Sequence, residues 1–426
     1  KAHFSGAVDI CEGKITIKNS IFVNNSAEYC AGAIAVDSQI NKPAVEIINS
    51  KFDSNSAEYG GAIYNYYNLT VVDSTFTNNS KDTIYNFRVA NLDLGIKTFT
   101  DLQNAIGLVR GTLTLDSDIA MTDDEAAGFV NGVAINKNIR IDGKGHTIDA
   151  RDLGRIFSIG EGFTVTLTNA TLINGKATEG GAIYNDGSLT LSDVKLSDNA
   201  ADSYGGAVFN NGELVVSDSV FDANDIVNRG SASVDYGGAA IYNWYDGTLT
   251  VSGSNFTNNI KNYKNGDRLV GAVTTIGNAT ISDSYFVNNS GRWGGAISTA
   301  GVSGSAINTI DVDGTKFVNN TALYGGAMFV WASNYTISNS VFDNNSAFGK
   351  GDMSPNNNNG GALVVTQDNI PVSGKIVNSN FTNNKAQYGG AAWINEGTVD
   401  IDGSNFINNT ATAEAGAIGF DSQYIK

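Results

Sequence analysis

Ser284-Tyr285-Phe286-Val287-Asn288-Asn289, followed after a short gap by Gly295-Ala296-Ile297, is the stretch on which the fold turns, because most of the chain repeats it. The Phe-x-x-Asn half returns as Phe22…Asn25, Phe52…Asn55, Phe76…Asn79, Phe221…Asn224, Phe256…Asn259, Phe317…Asn320, Phe342…Asn345, Phe381…Asn384 and Phe406…Asn409, with Leu196…Asn199 an aliphatic variant. The Gly-Ala half returns at Gly6, Gly32, Gly61, Gly181, Gly206, Gly238, Gly271, Gly326, Gly361, Gly390 and Gly416. The shortest repeat is 24 residues and inserted loops stretch others into the upper thirties. A period in that range is the signature of a solenoid.

Each unit offers three short runs with strand character: Gly-Gly-Ala-Ile-Tyr-Asn, a Leu-Thr-Val run such as Leu249-Thr250-Val251, and the Ser-x-Phe run. All are β-branched or aromatic and bounded by Gly, Asn or Asp. The pattern predicts an all-β, right-handed parallel β-helix with three short strands per coil, successive coils stacking at about 4.8 Å. Side-chain alternation sets the facing. The residue after Gly-Ala is aliphatic in nearly every copy (Ile34, Ile63, Ile183, Val208, Ile297, Leu363) and faces the core. Its variable neighbour (Tyr64, Tyr184, Phe209, Phe329, Trp393) faces outward. Ser284 and Phe286 share the inward face. The Asn three after Phe does not vary, and stacked at a corner such amides can bond to one another and to turn backbone. Three residues before Phe stand only Asn, Asp or Gly (Asn19, Asp73, Asp218, Gly253, Asp283, Gly314, Asn339), the residues that tolerate a left-handed backbone.

Composition agrees: 49 Gly serve corners, and 3 Pro in 426 residues suit a ladder that needs its donors. Near Lys97 the period breaks. Phe99, Leu102 and Ile106 fall on one helical face with Thr98 or Thr100 as N-cap, so a short capping helix is expected over about residues 98–107. The expected organisation is the end of one β-helix over 1–92, a linker, cap and first coils of a second over 93–180, and the main repeats over 181–426. A single solenoid carrying an insertion is the alternative. The chain enters and leaves mid-pattern, with no signal peptide, membrane span or lipid anchor, as expected of a segment of a longer protein.

A net charge of −17 and a pI near 4.4 argue against nucleic acid and anionic membranes as partners. No cofactor is expected, and Ca²⁺ is left open because Asp is abundant without any Asp-x-Asp-x-Asp-Gly loop. Cys11 and Cys30 could form a disulfide, though their positions around the coil differ. His3 and His146 make no metal set. Asp142, Asp149 and Asp152 with Arg151 and Arg155 are the densest candidate for hydrolytic carboxylates, but such density is ordinary at turns. No catalytic constellation emerges, and an enzyme is not expected.

Outward aromatics are the stronger lead. Tyr184, Phe209 and Tyr242 occupy equivalent positions on three consecutive coils, with Trp244 and Tyr245 beyond the strand end and Tyr204 and Tyr236 before the Gly-Gly. Long loops at Asp225–Tyr236, Ile260–Val270 and Ser346–Asn359 leave from one corner and add Arg229, Lys261, Tyr263, Lys264 and Arg268. Insertions on one face of a repeat array often mark the binding face, and aromatic faces with cationic donors suit glycan or protein recognition. The same rings could instead only stabilise the ladder. Sequons abound, among them Asn24-Asn25-Ser26, Asn68-Leu69-Thr70, Asn169-Ala170-Thr171, Asn278-Ala279-Thr280, Asn288-Asn289-Ser290 and Asn319-Asn320-Thr321; many read as by-products of the Asn corner.

The pairing of Gly-Gly-Ala-Ile with Phe-x-x-Asn resembles the repeats of chlamydial polymorphic outer-membrane proteins. Ile141-Asp142-Gly143-Lys144-Gly145-His146-Thr147-Ile148-Asp149 and the Asn- and Thr-rich dress resemble adhesin-like surface proteins of methanogenic archaea. The resemblance covers residues 1–90 and 97–426. It implies an extracellular, cell-surface attachment module, a rigid rod that binds surface glycans or proteins of another cell. A polysaccharide lyase or hydrolase and a passive spacer are the rival readings.

Overall fold

The computed structural model describes residues 2–37, 41–80, 82–86, 92–227, 236–260, 269–300, 308–347, 359–367, 371–395 and 397–421. The chain folds as a parallel β-solenoid, and the described residues hold one short helix. Its contacts divide into two compact units, one of Lys1–Phe129, Val133–Asp149 and Phe163–Thr171, the other of Val130–Gly132, Ala150–Gly162 and Leu172–Lys426.

In the second unit three parallel sheets run coil on coil. The Gly-Ala sheet keeps its aliphatic residue in register through Ile183, Val208, Ile241, Val273, Ile297, Met328 and Leu363. The middle sheet aligns Leu189, Leu214, Leu249, Ala279, Ile310 and Tyr335. The third aligns Leu196, Phe221, Phe256, Phe286, Phe317, Phe342, Phe381 and Phe406. Those phenylalanines form a continuous stack: Phe256–Phe286 centroids lie 4.5 Å apart at 3°, and Phe342–Phe381 4.5 Å at 1°. Short strands after the ladder Asn add a fourth pairing that the repeat pattern does not announce, as at Thr321–Ala322, Ser346–Ala347 and Lys385–Tyr388.

The invariant Asn is fully buried at Asn55, Asn199, Asn224, Asn259, Asn289, Asn320, Asn345 and Asn384. Each plays one repeated part. Asn320 donates from Nδ2 to Asn345 Oδ1 at 3.0 Å and to the Phe286 carbonyl at 2.9 Å, while its own Oδ1 accepts from the backbone N–H and Nδ2 of Asn289 at 3.0 and 3.1 Å. The coils at Asn25, Asn55, Asn79 and Asn409 follow the same scheme. A second amide ladder lies at the end of the Ile-Tyr-Asn strand, where Asn185, Asn210 and Asn243 are linked at 2.7 and 2.6 Å and Thr275 continues the row. Serines make a third, since Ser254 N donates to Ser284 Oγ and Ser219 N to Ser254 Oγ at 3.1 Å.

Three left-handed residues turn most of the regular coils. One is the Asn, Asp or Gly three before Phe, as expected (Asp283 φ 49°, Gly314 φ 57°). The second directly precedes the ladder Asn (Asn288 φ 56°, Ala223 φ 56°), and the third is the first residue of Gly-Gly (Gly294 φ 61°, Gly325 φ 61°). The second glycine of that pair has a different duty: a Cβ on Gly295 would sit 2.5 Å from the Gly326 carbonyl oxygen.

In the first unit the same registers join Ile34, Ile63 and Ile84, and Phe22, Phe52 and Phe76. Val109–Thr114 then pairs with Ile84–Asn86 through its first residues and with Ile139–Asp142 through its last. Before it comes the helix Phe99–Leu108, capped by Thr98, whose side chain accepts from Asp101 N while the Asp101 carboxylate accepts from Thr98 N. Phe99, Leu102, Ala105 and Ile106 are its buried face. Gln103 completes the cover: its amide donates to Ala134 O at 3.1 Å and accepts from Ala134 N at 2.9 Å, taking the place of a neighbouring strand.

Glu125 anchors this cap. Burial alone would raise its carboxyl, but hydrogen bonds from Thr100 and Thr122 outweigh that and hold it down at about 2. A depressed carboxyl stabilises the fold above its ordinary titration range and loses that contribution as pH falls towards the folded value. Glu125→Gln should therefore lower the melting temperature at pH 7, with the gap to wild type closing between about pH 5 and pH 2. Asn320→Ala strips two donors on Asn289 of their acceptor and the Phe286 carbonyl of a donor. With each buried unpaired group costing about 1–3 kcal/mol, a loss of about 3–5 kcal/mol is expected by chemical denaturation.

Candidate recognition surface

Alternation along the Gly-Ala strand points every second side chain out of the solenoid, and in the second unit this builds an aromatic layer outside the sheet. Tyr184 stacks on Phe209 at 5.0 Å and 16°, and Phe209 on Tyr242 at 5.9 Å and 5°. Parity is as the sequence implies, but exposure is not. Phe209 is 5% and Tyr242 6% exposed, because each ring is covered by a ring on a neighbouring coil and by Tyr204, Trp244 and Ile276. Burial, with Tyr204 and Tyr245 close by, pushes the Tyr242 hydroxyl far above the usual tyrosine range. The expectation of ring faces open to a ligand is thus corrected for these two. Phe329 and Trp393, also assigned outward, are 8% and 7% exposed for the same reason.

The accessible part is the rim. Trp244 and Tyr184 are half-buried, and Tyr245 stands edge-on to Trp244 at 4.7 Å with 46% of its surface exposed. Arg155 closes one side, its guanidinium 5.1 Å from the Tyr184 ring centre. It donates to the carbonyls of Gly180, Glu179 and Asn131, which explains a cation only 8% exposed. Arg155 is accordingly a structural cation rather than a member of a carboxylate site. Arg229, Lys261, Tyr263, Lys264 and Arg268 lie outside the described residues, as does the side chain of Tyr236. What is described is the anchoring of their loops: Asp225 and Gly237 pair with Ala200 and Tyr204, and Tyr236 with Leu269, so both loops leave from one corner.

A second aromatic group occupies later coils. Trp293 stacks on Tyr324 at 4.2 Å and 13°, over a buried row of Phe329, Val364 and Trp393, with Tyr388 edge-on to Trp393. Arg292 lies 5.4 Å from the Trp293 ring centre, its buried Nε without a hydrogen-bond partner. The signal was present in the sequence. Trp293, Tyr324 and Tyr388 hold the place before Gly-Gly that Tyr204 holds earlier.

The other candidates make local contacts. Asp142 accepts from Lys144 N and Asn169 Nδ2 in its turn, and His146 bonds Asp118 at 3.3 Å. Arg151 and Asp152 are left-handed turn residues. Cys11 and Cys30 are free thiols, Cys30 buried and shifted by that burial to about 11. Among the described residues no three His, Cys, Asp or Glu converge as a metal site, and no helix is long and apolar enough to cross a membrane.

Residues 49–66 match the family model described as Chlamydia polymorphic membrane protein repeat. The matched stretch holds Phe52, the ladder residue Asn55 and the Gly60-Gly61-Ala62-Ile63 corner, one whole copy of the two half-motifs. No curated protein and no solved structure matches the chain. The chain therefore carries a repeat similar to that of the polymorphic membrane proteins.

The two roles of the aromatics separate by mutation. Phe209→Ala should cost about 3 kcal/mol, as for a buried ring, whereas Tyr245→Ala should change stability by less than about 0.5 kcal/mol. Thermal or urea unfolding of both variants checks this.

Proposed function

We propose that this chain is a non-enzymatic attachment module displayed at a cell surface, binding glycans or proteins of another cell through its exposed aromatic rim and corner loops. One observation carries the reading: on a solenoid whose strands repeat almost unchanged, the irregular rings of Trp244 and Tyr245 lie just past the Ile241–Asn243 strand, and the two long insertions that carry cations in the sequence are rooted on consecutive coils at Asp225, Tyr236 and Leu269. Half-exposed rings give a flat apolar face with a polar edge, which suits sugar rings and protein hot spots alike. The polymorphic membrane protein repeat supports a surface setting, and the likeness to archaeal adhesin-like proteins belongs to the same proposal. Calcium, left open by the sequence, would act through exposed corner carboxylates.

The experiment is binding to an array of host and microbial glycans, with Ca²⁺ present and then chelated. A reproducible hit lost in Trp244→Ala/Tyr245→Ala and on shortening Asp225–Tyr236 and Ile260–Val270 to six residues supports the reading. Binding that survives both changes overturns the assigned surface.

A further inference from the structure

The sequons can be sorted by the structure. In the corner sequence Asn-Asn-Ser/Thr the acceptor of an Asn-x-Ser/Thr signal is the first Asn, not the buried ladder residue behind it. Asn24, Asn78, Asn288, Asn319, Asn344 and Asn408 hold this place, and all are exposed with φ between 52° and 60°. Neither half of the signal is required by the corner. Ser54, Asp198 and Ala223 make the same left-handed turn, and Ala200, Asp225, Ile260 and Lys385 follow the ladder Asn in other coils.

The six amides differ in what they do. Asn344 donates Nδ2 to Asn319 Oδ1 at 2.8 Å, and Asn78 donates to Asp53 Oδ1 at 3.1 Å. Among the described residues no hydrogen-bond partner meets the side chains of Asn24, Asn288 and Asn408, which are exposed on the outer corner. Coils stack at about 4.8 Å, too close for two bulky chains on adjacent rungs, so a chain on Asn288 leaves no room for one on Asn319.

We propose that Asn288, and by the same criteria Asn24 and Asn408, carry N-linked glycans, while Asn78 and Asn344 do not. The donor is a lipid-linked saccharide phosphate supplied by a membrane glycosyl transferase. Asn288 Nδ2 forms a bond to the anomeric carbon, the carbon–oxygen bond to phosphate breaks, and the amide proton leaves with the phosphate. The inference rests on surface display as proposed above.

The test uses protein purified from its source cells after labelling intact cells with a membrane-impermeant amine reagent. Glycopeptide mass mapping should show added sugar mass at Asn288 and bare peptides at Asn78 and Asn344. Asn288→Asp, which keeps a residue that tolerates the left-handed turn, and Ser290→Ala should each remove that mass without lowering the melting temperature. A surface-labelled chain with bare Asn288, or with equal occupancy at Asn78, Asn344 and Asn288, overturns the assignment alone. A bare and unlabelled chain overturns surface display as well.

Discussion

Everything in this fold depends on a carboxamide that is buried and completely paired. An Asn amide offers both donors and acceptor capacity on one short side chain. At the corner it spends them in a fixed way: outward to the next coil's amide oxygen, and across to the carbonyl of the Phe on the preceding coil. Leaving any of these groups unpaired in a dry corner is costly, so the amide recurs coil after coil, and where the row stops before Asn199 the backbone N–H of Gly175 donates to Asn199 Oδ1 at 2.8 Å instead. The same device tolerates large insertions. Ladder residues are bonded across 24 residues at Asn55–Asn79 and across 39 at Asn345–Asn384 with nearly the same geometry, because the key is the neighbouring coil and not the chain between.

Steric constraint does the rest. Most regular coils have three left-handed turns, met by Gly, Asn, Asp and sometimes Ser or Ala. The two glycines of Gly-Gly are not equivalent: Gly294 supplies a positive φ, and Gly295 supplies the absence of a Cβ against the Gly326 carbonyl. With core, corners and amides so constrained, variation collects at outward positions and in loops, both those after the ladder Asn and those between the Gly-Ala and middle strands at residues 300–307 and 367–372.

Stacking also limits what outward residues can offer. A ring on a parallel ladder meets its copies at about the coil spacing, close to aromatic stacking distance. Its faces are therefore consumed by its neighbours, as for Phe209 between Tyr184 and Tyr242. Regularity hides an aromatic surface, and irregularity exposes one. Trp244 and Tyr245 lie past the strand end and keep a wet side, and Trp293 and Tyr324 cover a buried row without being covered completely.

The linear repeat by itself determined the solenoid, the inward Phe and aliphatic rows, the Asn corner, the left-handed residues before Phe and the capping helix. Each of these is local: period, parity and backbone tolerance are written in consecutive residues. The sequence also held, unread, the Asn of Ile-Tyr-Asn and the aromatic before Gly-Gly. What only the tertiary structure decided was exposure. Whether Phe209 or Tyr242 can meet a ligand, which of two adjacent asparagines faces solvent, and that Arg155 is consumed by three carbonyls all depend on neighbours some 25 residues away, brought alongside by stacking. Spacing along the chain predicts which way a side chain points; only the packing of one coil on another determines what covers it.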